Sequence, residues 1–337
     1  MMMQVERERI LANKRYLLNQ GYLPGKGYLL GVDGGGTKTL ALLAGPDGEI
    51  IGMGDGGPSN FYAVGFDAAR ASLETALRAA WDDAGLQPKP LAAACLGLAG
   101  AGRADDIAQV LAWVRGFISA GAIELVNDAR LVIEAEAAPG DSPAWGLAII
   151  SGTGSIAYGW DPAGNTARAG GWGYLLGDEG SAFSVGLAAL RAVCRAYDGR
   201  APATLLTRYL LEAWSLNDPQ ELVGRVYQGK FPRTEISRLS RVVEAAADAG
   251  DAVAAAIFEQ AGEELALAAA SVASQLGLAG PIPCALAGGN LVFGQRTADA
   301  FLRSAETAGL TLDPVVRVKT PALGALRIAA RIASETQ

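Results

Sequence analysis

The sequence predicts an α/β protein of two domains, each built on the same strand–turn–strand unit. Three observations predict it. The chain has 337 residues, about twice the length of one ordinary domain. Half of the residues are hydrophobic and 19% are charged, a composition that supports packed cores rather than a disordered chain. One pattern of apolar runs and glycine turns also occurs twice.

The elements follow in order. Residues 1–27 carry Glu6, Arg7, Glu8 and Arg9 and lack a secretory apolar core, so they read as a short helical extension. Tyr28 to Asp33 is an apolar run that ends in Asp33-Gly34-Gly35-Gly36-Thr37-Lys38. A second run over 39–44, a turn at Gly45-Pro46-Asp47-Gly48 and a third run over 49–54 complete a three-stranded unit. The spacing of Leu73, Leu77 and Trp81 predicts a helix over 66–84. Runs at 91–98 and 122–126 read as strands, and 131–137 as helical. Pro139-Gly140-Asp141-Ser142-Pro143 has linker composition, which divides the chain into domains 28–140 and 141–337.

The second domain restarts the pattern. Apolar runs at 147–151, 155–160 and 165–169 are separated by Gly152-Thr153-Gly154 and by Asp161-Pro162-Ala163-Gly164. A helix over 181–197 and an Ala-rich helical insertion over 201–276 follow, with breaks near Asn217-Asp218-Pro219 and Gly250-Asp251. Strands at 282–287 and 315–318 precede a closing helix over 321–333, for which packing back onto the first domain stays open.

Composition removes several chemistries. The chain contains no histidine, which excludes Ser-His-Asp catalysis, His-ligated zinc and His bases and leaves proton transfer to a carboxylate. The net charge is −7 and no basic stretch has the footprint of a nucleic-acid binder. No apolar run is long enough for a membrane helix, and a cytoplasmic protein is expected. Cys95, Cys194 and Cys284 each lie in an apolar run without paired spacing and read as buried thiols.

Five segments carry candidate chemistry. In the 33–38 turn, Gly35 and Gly36 let backbone N–H groups approach phosphate oxygens, Thr37 and Lys38 add donors, and Asp33 is placed to hold Mg²⁺. A plain glycine hairpin with a solvated Asp fits the same residues, and the pattern is not a Walker A loop. Ser151-Gly152-Thr153-Gly154-Ser155 occupies the equivalent place in the second unit, so two loops facing across a cleft would hold phosphates from both sides. Asp128, after Val126-Asn127, suits a general base for a hydroxyl attacking a phosphoryl group, and equally a helix N-cap. Segment 170–181 combines glycines, Trp172 to stack on a sugar face and the carboxylates Asp178 and Glu179 to accept from hydroxyls; an Ω-loop with Asp178 or Ser181 as helix cap is the plainer reading. Ala287-Gly288-Gly289-Asn290 serves a nucleotide or a tight strand-to-helix turn equally well.

Together, GVDGGGTKT (31–39), GPSN (57–60), LGLAGAG (96–102), VNDA (126–129), ISGTGSI (150–156), GGWGYLLGDEGSA (170–182) and LAGGN (286–290) resemble the N-acetylglucosamine kinase branch of the BadF/BadG/BcrA/BcrD ATPase family. The resemblance implies an actin-like ATPase fold, with a ribonuclease H-like repeat in each domain and an interdomain cleft for Mg²⁺ and ATP. It implies Asp128 as catalytic base and Thr37 and Thr153 as phosphate-binding hydroxyls, with Gly288 and Gly289 by the adenosine. Asn60, Gly154, Gly171, Trp172, Gly173 and Asp178 match sugar-binding positions, with Ser155 and Glu179 beside them. Asp33 replaces the Glu of animal members. Ile156 stands where animal members carry Asn, which removes a polar group and opens glucosamine as acceptor beside N-acetylglucosamine. The resemblance also admits an ATPase that activates a partner enzyme, although such activators use cluster-binding cysteines. The expected partner is a small amino sugar, and a homodimer is the commonest assembly.

Overall fold

The structure is a computed structural model that describes every residue except 1–6, 9, 11, 12, 20, 22–26, 102, 103, 137–143, 229–232 and 336–337. Much of the expected N-terminal extension and the expected linker 139–143 therefore lie outside the described residues. Within the extension, Tyr16–Asn19 forms a helical turn, α1, and the Tyr16 hydroxyl donates to the Ala135 carbonyl at 2.8 Å.

The chain groups into two units: 1–144 with 320–337, and 145–319. The division falls at 144/145, a few residues after the expected boundary, and the chain's last residues belong with the first unit.

The first unit contains strands β1 (Tyr28–Gly34), β2 (Thr39–Ala44), β3 (Ile50–Gly56), β4 (Leu91–Leu98) and β5 (Ala120–Asn127) in the order β3-β2-β1-β4-β5. The β1–β2 and β2–β3 pairs are antiparallel; β1–β4 and β4–β5 are parallel. Its helices are α2 (Phe61–Val64), α3 (Phe66–Asp83), α4 (Ala104–Val114) and α5 (Asp128–Glu136). α3 crosses β3 at close range because β3 presents a glycine at every second position. A Cβ on Gly52, Gly54 or Gly56 would lie 2.0–2.1 Å from the carbonyl oxygens of Ala80, Ala76 and Ser72.

The second unit repeats the sheet. Strands β6 (Gly146–Ser151), β7 (Ser155–Trp160), β8 (Thr166–Gly170), β9 (Pro281–Ala287) and β10 (Thr311–Arg317) lie in the order β10-β9-β6-β7-β8. Again an antiparallel meander (β6–β7–β8) joins a parallel pair (β6–β9, β9–β10). The expected helix and insertion become α6 (Ala182–Tyr197), α7 (Leu206–Trp214), α8 (Glu221–Tyr227), α9 (Arg233–Asp248) and α10 (Ala252–Leu276). Between β9 and β10 lie α11 (Gly289–Val292) and α12 (Gln295–Thr307). One core packs Leu147, Ile149 and Leu286 against Leu265, Ala269 and Val272 of α10; another gathers Phe183, Leu239, Val243 and Phe258 among the helices.

The last helix, α13 (Ala322–Glu335), packs on β1, β4 and α5 in the first unit. A Cβ on Gly31 would lie 2.5 Å from the Leu326 nitrogen, and one on Gly324 2.1 Å from the Leu131 carbonyl. Glu134 of α5 is fully buried and faces Arg130 at 2.6 Å, Arg331 at 3.1 Å and Arg327 at 3.8 Å. Cys95 and Cys284 are buried as expected, but Cys194 is exposed. The buried stripe of α6 runs through Ala189, Leu190 and Val193, and Cys194 lies one step off it. Among the described residues, no helix is long and apolar enough to cross a membrane.

Candidate active site

In the first unit, strand register gathers the candidate residues at one sheet edge. Asp33 pairs with Gly97, and Leu98 pairs with Asn127. Asp33 and Asn127 therefore end their strands on the same side, separated by β4, about 10 Å apart at two strand spacings.

Asp128 follows Asn127 as the first residue of α5, not as the residue before it. The Ala129 N–H donates to Asn127 Oδ1 at 3.0 Å and lies 3.1 Å from Asp128 Oδ1. Asn127 thus shares the capping role, and the Asp128 carboxyl belongs to the helix's first turn. It keeps some exposure, yet the protein packed around it withholds solvent: burial pushes its pKa up to about 6, opposed only by the backbone N–H groups of Ala129 and Asp128. Among the described residues no cation offsets this desolvation, so the carboxylate is more basic than an ordinary aspartate.

The turn between β1 and β2 is closed by the Gly35 N–H donating to the Lys38 carbonyl at 3.0 Å. Gly36, Thr37 and Lys38 are exposed at its tip. A Cβ on Gly36 would meet nothing within 4 Å, and its φ is not positive. Neither packing nor backbone strain demands glycine there.

The same turn is tied to Asn60. The Gly35 carbonyl accepts from the N–H groups of Ser59 at 3.0 Å and Asn60 at 3.2 Å. Thr39 Oγ1 donates to the Gly57 carbonyl at 2.7 Å and lies 2.9 Å from Ser59 Oγ. Threonine has one hydroxyl proton, so Ser59 is the donor in that second contact. Asn60 Oδ1 caps α2 by accepting from the Tyr62 N–H at 3.1 Å, which leaves Nδ2 able to donate to a ligand.

In the second unit, three segments meet. The Gly152 N–H donates to the Gly154 carbonyl at 2.9 Å and closes the β6–β7 turn. Asn290 Nδ2 donates to Ser151 Oγ at 3.1 Å and to the Gly180 carbonyl at 3.2 Å, pinning the strand-to-helix turn to the other two segments. Gly288, at φ +85°, packs so closely that a Cβ would sit 2.3 Å from the Ser151 carbonyl, whereas a Cβ on Gly289 would meet nothing within 4 Å. Thr153 is half-exposed on this surface. The side chains of Asn290 and Ser155 are spent inside the unit, since the Ser155 hydroxyl donates to the Glu179 carbonyl at 2.5 Å.

Asp178 is buried at 4% exposure, in the left-handed region at φ +60°. The Ser155 N–H donates to its Oδ1 at 3.4 Å, and Arg233 Nη2 donates to its Oδ2 at 3.0 Å. Burial raises its pKa, opposed by the Ser155 N–H and the Arg233 charge. Gly154 leaves the room: a Cβ there would lie 2.8 Å from Asp178 Oδ2. Trp172 is 62% exposed, with the Arg168 guanidinium 4.8 Å from its ring, and Glu179 is also exposed. Gly171 and Gly173 both have positive φ in this loop. Ser181 caps α6 by accepting from the Ser184 N–H at 3.1 Å.

Sequence reading did not single out Arg233, Ser59 or Thr39. Arg233 lies 55 residues from its partner, and no local pattern signals such a pair. Ser59 and Thr39 had a signal, being small hydroxyl residues flanking glycine turns in otherwise apolar runs.

Among the described residues, no group of three or more His, Cys, Asp or Glu side chains gathers as a metal site. Asp33 is therefore not part of such a group.

Comparison with known proteins gives the chain's relatives. The chain is 32% identical over 249 residues to the N-acetylmuramic acid/N-acetylglucosamine kinase of Clostridium acetobutylicum, covering 74% of this chain and 80% of that one. It is 30% identical over 272 residues to the N-acetyl-D-glucosamine kinase of Dictyostelium discoideum, covering 78% and 85%. The crystal structure of a proposed N-acetylglucosamine kinase from Chromobacterium violaceum superposes with a TM-score of 0.71 at 30% identity, over 90% of this chain and 99% of that one. The duplicated sheet is that of the two-domain actin-like ATPases. The profile of the BadF/BadG/BcrA/BcrD ATPase family matches residues 30–329, and the chain belongs to that family.

Proposed function

We propose that the protein transfers the γ-phosphoryl group of ATP to a hydroxyl of an amino sugar, N-acetylglucosamine or glucosamine, with Asp128 as general base. The observation that carries the reading is the sheet edge of the first unit. It sets a carboxylate of raised pKa at the same sheet edge as an open glycine turn, and the backbone links that turn to Asn60. Relatives that share this chain over most of its length are kinases of N-acetylated amino sugars.

ATP supplies the phosphoryl group, and Asp33 would help to hold a Mg²⁺ ion, which would supply positive charge to the phosphates. The residues do the rest. Gly35 and Gly152 shape the two turns through their own backbone bonds, and the backbone N–H groups of Gly36, Thr37 and Lys38 in one unit, and of Thr153 in the other, donate to phosphate oxygens, with the Thr37 and Thr153 hydroxyls beside them. Gly288, Gly289 and the backbone of Asn290 lie by the adenosine. Asn60 Nδ2 donates to the sugar, Asp178 and Glu179 accept from its hydroxyls, Trp172 stacks on its face, and Gly154, Gly171 and Gly173 let it approach. Asp128 takes the hydroxyl proton as the sugar oxygen bonds to phosphorus and the bond to the ADP oxygen breaks. With a pKa of about 6, it is ionised in roughly ten of eleven molecules at pH 7, yet basic enough to accept.

The test is ADP release with Mg-ATP and a panel of sugars, with Asp128→Asn alongside. Stimulation by N-acetylglucosamine or glucosamine, lost in Asp128→Asn while ATP still binds, is expected. Slow ADP release that no sugar changes would reject the kinase and turn the search to a protein partner.

A further inference from the structure

We propose that Arg233 is a positioning residue for the acceptor sugar: from the first turn of α9 it holds the Asp178 carboxylate in the orientation that receives the sugar's hydroxyls. This rests on the amino-sugar kinase reading above, and it makes the helical insertion part of the sugar site.

The contacts of Arg233 converge on one loop. Its Nη2 donates to Asp178 Oδ2 at 3.0 Å, and its guanidinium lies 5.1 Å from the centre of the Tyr174 ring. Tyr174 in turn packs edge-on against Phe183, at 5.6 Å between ring centres. The arginine therefore grips the 171–181 loop at two points, one polar and one aromatic. On its far side, the Asp178 carboxylate lies against the β6–β7 turn, in room that exists because position 154 is glycine. The carboxylate is thus contacted from both sides.

Packing stability alone does not account for an arginine here. Its Nε is buried with no hydrogen-bond partner, an arrangement that costs free energy and that a methionine would avoid while still covering Tyr174. What arginine adds is a fixed donor and a positive charge at a buried carboxylate. The charged groups around Asp178 are Arg233 from α9 and Glu179 from its own loop. Burial and Glu179 raise the Asp178 pKa, and Arg233 lowers it. Removing the guanidinium raises it further, so the anion that accepts from hydroxyls is lost at a higher pH as pH falls.

The experiment measures N-acetylglucosamine binding by calorimetry from pH 5 to 8 in an Asp128→Asn background, which silences turnover and the Asp128 titration. Arg233→Met is expected to weaken sugar binding about 10- to 100-fold at pH 7, the loss of one charge-assisted contact to a buried group. It should move the acid limb of binding to higher pH. ADP affinity should stay within about two-fold, Arg233→Lys should restore part of the sugar affinity, and Arg233→Met with Asp178→Asn should be no weaker than Asp178→Asn alone. Unchanged sugar affinity and an unmoved limb in Arg233→Met overturn the proposal. So does a parallel loss of sugar and ADP affinity with a lowered melting temperature, the mark of a structural role only. If the parent protein itself neither binds nor phosphorylates any amino sugar, the kinase reading fails first and this inference falls with it.

Discussion

Asp128 in the first unit and Asp178 in the second are both held in protein that withholds solvent, and the fold treats them differently. Asp178 receives Arg233 at 3.0 Å. Among the described residues Asp128 receives only backbone N–H groups, and its pKa climbs to about 6. Six residues along the same helix, Glu134 is fully buried and has three arginines within 4 Å. The chain can therefore supply cations to a buried carboxylate in this region, and among the described residues it supplies none to Asp128. A group that accepts protons is best left without a cation, and a group that only accepts hydrogen bonds is best given one.

The largest effect that would break this contrast is at Asp128. Asp128→Asn should lower sugar-stimulated kcat by about a thousand-fold, roughly 4 kcal/mol of barrier, with ATP affinity retained. Stability should move the other way. The folded pKa of about 6 exceeds the ordinary 3.8, so this residue favours folding below pH 4 and loses that contribution as pH rises through 6. The variant should therefore gain up to about 2 kcal/mol at pH 7.5, after discounting for partial exposure, and nothing at pH 4, read from thermal melts. An Asn variant no more stable at pH 7.5 would mean that Asp128 is not desolvated.

Glu134 should show the opposite sign. Glu134→Ala leaves Arg130, Arg327 and Arg331 facing one another and should cost about 3 kcal/mol in urea unfolding. Gly36→Val tests the turn: with nothing near its Cβ, it should leave the melting temperature nearly unchanged while raising the KM for ATP about ten-fold. The smallest effect is Ser59→Ala, which removes one buried hydroxyl contact and should cost about 1 kcal/mol of stability. Because Ser59 and Asn60 share the Gly35 carbonyl, the KM for sugar should rise by a few-fold in the same variant.

Much of this was legible because it is local. The two meanders show as apolar runs broken by glycine turns, and period and turn chemistry alone define β1–β3 and β6–β8. Asp128 was legible only as an alternative, since its reading depends on whether α5 starts at residue 128 or after it, a matter of one residue that the Asn127 side chain helps to decide. The exposure of Cys194 hung on a similarly small shift around α6. Arg233 was not legible at all. Neither was the gathering of Arg130, Arg327 and Arg331 on Glu134, because residues nearly 200 positions apart leave no mark on local spacing. A buried polar contact of this kind is set by tertiary packing, which a single sequence does not display.

The return of α13 to the first unit has a consequence for biosynthesis. Residues 145–319 are contiguous, so they can fold as soon as they have left the ribosome. Residues 28–136 cannot complete their unit then: Gly31 lacks the backbone of Leu326 that fills its place, and Glu134 lacks Arg327 and Arg331. The half of the molecule made first must wait, with β1, β4 and α5 uncovered, until the half made second has been translated. A nascent chain stalled before residue 320 would carry a finished second unit and an aggregation-prone first one, and the order of maturation is the reverse of the order of synthesis.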